Sequence, residues 1–581
     1  MRTRRPASSD SPSLVHKAGE TIRSFSASGR VLFIFFSGLL VLSAFALLYM
    51  LNRAVLVEVP TRGGTYTEGV VGAPRFINPV LAISDADRDL TALVFSGLLK
   101  ATPKGVYIPD LAESFTISPD GKTYTFRLRP DISFQDGKPV TADDVVFTTT
   151  KIQDSTLKSP ERPNWSGVVV EKIDDKTISF TLKQAYTPFI ENLSVGILPK
   201  HLWDGIADDE FPFSNLNTSP IGSGPFKVVS LSRTSSGVPS SYTLAAYSRY
   251  KPQAAYLSTI TFSFYQNEES LIDAIKKSDV SAASGISPTH IPEVGNLTIQ
   301  SAPLNRVFGI FFNQNESEVL RDGTTRKILS DVLDRNELIT QILGGYGTPL
   351  TGPLPPNFIH TQTPPEASTH NLVANAKAAL MGAGWKLGQN GILQKTSGTG
   401  KTAKTLPLTI TLATSNVPEL RSAAEYIRKT WGSLGVAVEI QVYDQGDLAQ
   451  NVIRPRKYEA LLFGEVIGRE PDLFAFWSSS ERLDPGLNIA LYTNANVDKL
   501  LSKLRATFDV PQKQVLYQQF VEAISLDTPA IFLYAPDFVY IVPKDIRGLE
   551  LGSIETPSDR FLSVTNWHRE TDWVWPLFIR Q

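Results

Sequence analysis

Residues 31–51 form an uncharged, strongly apolar run near the N-terminus. As a helix rising about 1.5 Å per residue it spans roughly 30 Å, the thickness of a bilayer's hydrocarbon core. Arg2, Arg4, Arg5, Lys17, Arg23 and Arg30 precede it, against only Asp10 and Glu20, a bias that keeps this end cytoplasmic and the bulk outside. A cleavable signal peptide is the alternative. The long charged leader, the length of the run and the position of Ala44-Phe45-Ala46 inside it favour an uncleaved anchor.

Beyond the anchor, the pattern is globular. From about residue 63 to 228 strands dominate: Tyr124, Phe126 and Leu128 alternate after the turn at Asp120-Gly121, which predicts a half-buried strand. Asp136-Gly137 marks a second tight turn, and Thr141 with Asp144 predicts a capping box opening a helix through Val145 and Val146. Asp143 and Asp144 then read as helix-start acids, because adjacent helical residues do not face one target. Between 322 and 343, Ile328, Leu329, Val332 and Leu333 form one helical stripe. Asp334 and Glu337 open a second, of Leu338, Ile339, Ile342 and Leu343, closed by Gly344-Gly345. Leu408, Ile410 and Leu412 alternate as a strand. Leu420, Ala424, Ile427, Trp431 and Leu434 share a helix face ended by Gly435, and Val436, Val438, Ile440 and Val442 form another strand. Such a strand–helix–strand crossover predicts an α/β fold with ligands bound where strand ends open into a crevice.

Composition narrows the function. The 581 residues, 42% apolar and 20% charged, suffice for two or three packed domains. A formal net charge of -2 with interspersed signs offers no field for nucleic acid. The absence of cysteine excludes disulfides, thiolate metal sites, a cysteine nucleophile and a lipidated cysteine, so the helix is the anchor. Ser397-Gly398-Thr399-Gly400-Lys401-Thr402 resembles a phosphate loop, but Lys395 stands where its first glycine is required, and a glycine-rich hairpin tip is the better reading. Ile221-Gly222-Ser223-Gly224 lacks the first glycine of a nucleophile elbow. The histidines show no pair at helical metal-ligand spacing, and neither metal nor cofactor is predicted.

Several segments, in order, resemble the family 5 extracellular solute-binding proteins, the peptide and nickel receptor group of ABC importers. Gly63-Gly64-Thr65-Tyr66-Thr67 and Phe76-Ile77-Asn78-Pro79 resemble the family's opening strand and turn. Residues 108–115, 118–130 and 134–147 resemble its most specific block, and 220–228, 326–350 and 492–534 three later ones. The resemblance implies a bilobal, periplasmic-binding-protein-like type II fold (class C solute-binding protein) behind one transmembrane helix. A first lobe would comprise 62–82, 219–304 and 535–581, an inserted subdomain 83–218, and a second lobe 305–534. It also implies a non-enzymatic, monomeric receptor that closes over an oligopeptide or similar elongated solute and delivers it to ABC permease and ATPase subunits.

In the family's peptide receptors, a second-lobe strand and loop line the cleft, and an aspartate three residues before the acid that precedes a proline pairs with the ligand's α-ammonium group. The matching segment here runs from Phe463 to Trp477, and Ile467 occupies the aspartate position. The resemblance places Phe463, Gly464, Glu465, Val466, Ile467 and Arg469 along the cleft; Glu465, on the strand face of Ile467 if the segment is extended, is either the substitute acid or a solvent-facing one, and Arg469 is either a carboxylate partner in the cleft or a solvated surface charge outside it. Trp477 is expected in the pocket because Ser478 to Ser480 follow it, which suggests a chain end near solvent. Asn305, Phe308 and Asn313 enter from the first crossing between lobes and Tyr534 from the second. The alternatives are a surface sensor that kept the fold without transport, and an anchored hydrolase, for which no catalytic constellation is found.

Overall fold

A computed structural model describes residues 19, 21–295, 297–356, 358, 372–397 and 404–578. The apolar run forms the helix Ala27–Val55, whose N-cap Ser26 side chain accepts the Gly29 N–H. It is long and apolar enough to cross a membrane, and none of its side chains is buried. Together with the antiparallel pair Val57–Pro60 and Thr571–Val574 it makes a unit separate from the main body, Arg62–Arg569. Most of the basic leader lies outside the described residues.

The main body is organised around a network of twelve strands. One flank runs Ala437–Tyr443, Thr409–Ser415, Ala460–Val466, Arg306–Phe312. The other runs Ala282–Ser284, Gly63–Val71, Leu257–Tyr265, Pro239–Ala246, Phe226–Arg233. Strand Ala530–Val542 connects them, because its first residues pair with Arg306–Phe312 and its last with Thr298–Pro303. Two antiparallel crossings therefore link the flanks, fastened where the Leu304 N–H donates to the Pro536 carbonyl over 2.9 Å. The buried side chains divide at the same place: Val307, Ile310, Phe532 and Tyr534 pack into the cores beside the first flank, and Ala302, Leu304, Phe538 and Tyr540 into the core beside the second.

The strand–helix–strand crossover is present. Thr409–Ser415 and Ala437–Tyr443 run parallel, joined by Pro418–Leu434, which buries Leu420, Ala424, Ile427, Trp431 and Leu434 and stops at Gly435 with φ +95°. The capping box is present as well, with the Thr141 N–H donating to Asp144 Oδ2 at 2.8 Å at the start of Ala142–Gln153. Asp144 Oδ1 also accepts the Lys200 N–H, and Asp143 pairs with Lys172, so local structure occupies both acids. That helix packs on a four-stranded sheet in which Thr123–Leu128 lies between Ala112–Ile117 and Thr177–Thr181. Strands Leu393–Ser397 and Lys404–Pro407 pair antiparallel, and the glycine-rich tip between them, 398–403, lies outside the described residues.

Candidate functional site

Between the two flanks, with the crossings as its floor, lies a cavity of about 940 Å³. This is within the range of about 300–1,000 Å³ typical of small-ligand sites. One wall carries Val70, the 284–288 loop, Phe538 and Val539, and the other Val417, Leu420, Leu448 and Phe463. The walls are mainly apolar, so desolvation of a ligand contributes to binding and a few polar groups set its orientation.

The floor follows from strand register. Phe308 lies opposite Gly464 on one side and Tyr534 on the other, and its ring stacks on Tyr534 with centroids 5.1 Å apart and planes 14° from parallel. The ring covers Gly464 so closely that a Cβ there would come within 2.6 Å of it. Glycine is therefore what lets the aromatic pair lie flat. Gly464→Val should turn Phe308 off Tyr534 into the cavity and lower stability by about 1–3 kcal/mol, checked by a crystal structure and denaturant unfolding. An unmoved ring at unchanged stability would contradict the close approach.

Of the residues singled out in the sequence, the cavity gathers Phe308, Phe463, Gly464, Val466 and Tyr534. Glu465 lies elsewhere. Successive strand residues face opposite sides, and Glu465, opposite Val307, turns into the core below, 4% exposed and with no hydrogen-bond partner for either carboxylate oxygen. Burial there pushes its carboxyl well above the usual range. Ile467 packs into the same core. Trp477 does too, at 1% exposure among Phe311, Tyr492, Phe520 and Phe532, and not at a solvent edge. The serines after it meet local partners: the Ser478 side chain caps the next turn by accepting the Ser480 N–H, and the Ser479 backbone N–H donates to the Asp498 carboxylate. Asn305 is fully buried, its Nδ2 donating to Ser553 Oγ at 3.1 Å, and Asn313 forms a turn with its Nδ2 donating to the Arg456 carbonyl.

Arg469 stands outside the cavity in an ionic cluster linking three segments. Its guanidinium meets Glu555 at 3.2 Å and also pairs with Asp559. The next residue, Glu470, donates its N–H to the Glu191 carboxylate and pairs with Lys513 at 2.5 Å. Burial and the neighbouring acids push Glu555 up to about 7 and Glu191 up to about 8, although Arg469 opposes both shifts.

Sequence reasoning missed two floor residues, Arg306 and Asp537. Arg306 precedes Phe308 by two positions and so shares its strand face, and Asp537 follows Tyr534 by three. The Arg306 Nε and Asp537 Oδ1 are buried and have no partner among the described residues. Period-two spacing was the available signal for Arg306.

At the rim Ser287, His290 and Glu268 meet, but not as a proton relay. The Ser287 hydroxyl donates to Glu268 Oε1 at 2.8 Å, while Ser287 and Glu268 both address the same imidazole nitrogen, Nδ1, at 3.2 and 3.0 Å. A nucleophile and an orienting acid need opposite ring nitrogens.

Two α/β halves joined by two crossings over a mainly apolar cavity define a bilobal binding protein. Residues 106–482 match the family model of the bacterial extracellular solute-binding proteins, family 5 middle region, and the chain belongs to that family. It is 27% identical to the oligopeptide-binding protein AppA of Bacillus subtilis, over 84% of this chain and 89% of that one. Among solved structures, the ABC transporter substrate-binding protein CtaP of Listeria monocytogenes superposes with a TM-score of 0.71 at 27% identity, over 88% of this chain and 100% of that one. B. subtilis AppA, in complex with a nonapeptide, gives 0.63 at 26% identity, over 88% and 99%. The fold is that of the bilobal periplasmic binding proteins.

Proposed function

We propose that the chain is the membrane-anchored, extracytoplasmic receptor of an ABC importer. Helix Ala27–Val55 crosses the bilayer with its basic leader inside. The lobes, divided near Leu304 and Tyr534 with the 83–218 subdomain attached to the first, close over an oligopeptide or peptide-like solute and present it to permease and ATPase subunits. The observation that carries this reading is the cavity itself, large, apolar-walled and floored by the two backbone crossings that join the flanks among the described residues. Closure by rotation about two short crossings buries a ligand with little rearrangement inside either half. The ligand leaves unchanged, and shape with a few hydrogen bonds is sufficient.

An ammonium group on the ligand requires an opposing charge in so dry a site. Ile467 does not supply one, and Glu465 faces away. Asp537, with an unpartnered oxygen at the cavity floor, is the acid we assign to that role. Burial raises its carboxyl above the ordinary value, and a bound cation would draw it back to the charged form. The test is native mass spectrometry of protein extracted from host membranes and exposed to mixed peptide pools. One peptide per chain is expected, weakened about tenfold or more by Asp537→Asn and untouched by Glu465→Gln. A homogeneous empty protein in every pool would overturn the reading.

A further inference from the structure

We propose that Arg306 receives an anionic group of the solute, a carboxylate, and so selects ligands that carry one in a fixed place. This deepens the peptide-receptor reading and rests on it. Arg306 is the only lysine or arginine among the residues lining the cavity. It opens the strand Arg306–Phe312 directly at the first crossing, opposite Val466, with Leu304 and Phe308 on its own face. Its guanidinium is half-buried, its Nε is shut off from solvent without a hydrogen bond, and no carboxylate among the described residues pairs with it.

Neither acid lining that side, Asp85 or Asp89, forms an ion pair with Arg306. Asp85 pairs with Arg88 at 3.6 Å, and both oxygens of Asp89 accept from Arg560 at 2.7 and 2.6 Å. Burial disfavours the guanidinium's charge, and of its two charged neighbours Asp85 supports that charge more than Arg88 opposes it. Leaving a cation desolvated and unpaired is costly, and structural arginines elsewhere in this protein avoid it: Arg326 and Arg335 each donate to several main-chain carbonyls. Arg306 has no such structural duty. Its planar fork matches a carboxylate, and a charge-assisted bond in this dry floor is stronger than the same bond at a surface. Together with Asp537 on the other crossing, it gives the floor one group for each charge of a zwitterion.

Two pools of tri- to hexapeptides free of Asp and Glu, one with free C-terminal carboxylates and one with C-terminal amides, test this against wild-type protein and Arg306→Gln. A third, amidated pool rich in Glu separates a terminal from a side-chain carboxylate. Wild type should retain the free-acid pool, or the Glu-rich amides, at least about tenfold better than the plain amides. R306Q should retain all three alike at the lower level, and Arg306→Lys should recover part of the preference. Equal uptake of all pools by the wild type would overturn the inference. So would unchanged selectivity in an R306Q protein whose Tm matches the wild type. Failure of wild type to bind any pool would instead overturn the receptor reading, and this inference with it.

Discussion

Arg560→Met should destabilise the main body by about 3–5 kcal/mol, the largest effect expected of any single substitution outside the apolar cores. Arg560 has no exposed surface. Its Nε donates to Glu68 Oε1 at 2.9 Å, its two terminal nitrogens to Asp89, and Nη1 also to the Pro557 carbonyl. Tyr540 donates to the other Glu68 oxygen at 2.8 Å and meets the Tyr66 hydroxyl at 2.6 Å. Burial opposes the charge on the guanidinium, yet Asp89 and Glu68 hold it protonated well above the usual range. Glu68 lies in the opening strand Gly63–Val71, Asp89 in the helix Asp85–Val94, and Arg560 in the C-terminal turn Pro557–Phe561. The guanidinium thus closes a loop between the two ends of the body, and its removal strands two carboxylates in a core that cannot solvate them. Thermal unfolding should show a Tm lowered by on the order of 5 °C. The triple variant R560M/E68Q/D89N should regain much of the loss, because the penalty lies in the orphaned charges more than in the missing contacts. If R560M alone melts like the wild type, the triad does not bind the ends together.

The contrast between that triad and the N-terminal apolar helix shows what a sequence can reveal. A charge-free run, a strand–helix–strand repeat and a capping box are local periodicities, and each appears in the structure where its spacing placed it. The family segments are collinear, so the fold was legible too. Glu68, Asp89 and Arg560 are individually unremarkable, and only the closed chain brings together residues 471 and 492 positions apart. The candidate site falls between these cases. Alternation puts Glu465 and Ile467 on one strand face and Gly464 and Val466 on the other, but it does not say which face meets the cavity. A reading that assigned charge to Glu465 therefore chose the buried side. Trp477 misled because serine marks both solvent and helix caps. Arg306 and Asp537 stayed hidden for another reason: a missing partner is visible only when every neighbour is in place.

Arg469→Ala should be the most damaging change to ligand retention, because it removes the arginine of the ionic cluster that ties the loop after Ala460–Val466 to the C-terminal segment and to the segments carrying Tyr107 and Glu191. Glu555 and Asp559 would face each other without it, beside Glu191, Glu470 and Glu161, with Lys513 engaged by Glu470 and Tyr107 as the neutral neighbour. Loss of one partner of a buried charge pair costs on the order of 2–5 kcal/mol and shows in the dissociation rate. A rise of at least about tenfold in that rate is expected.

Under the proposed closure, with this cluster formed in the closed state, ligand retention depends on pH with a definite sign. An exposed glutamate titrates near about 4.3, whereas in this structure burial pushes Glu555 up to about 7 and Glu191 up to about 8. The closed state therefore holds more protons than an opened one between these values. Its advantage is complete below the exposed value and is lost as pH rises through the raised ones. Peptide should accordingly dissociate faster as pH is raised from about 5.5 to about 9, the opposite of the trend set by carboxylates with depressed values. Glu191→Gln and Glu555→Gln, which stay neutral throughout, should flatten the profile while keeping the slow acid-side rate. Stopped-flow release of a fluorescent peptide measures all of these rates. A wild-type rate independent of pH, or one that falls toward alkali, would mean that the cluster stays shut while the ligand leaves, and that the lobes open about some other contact.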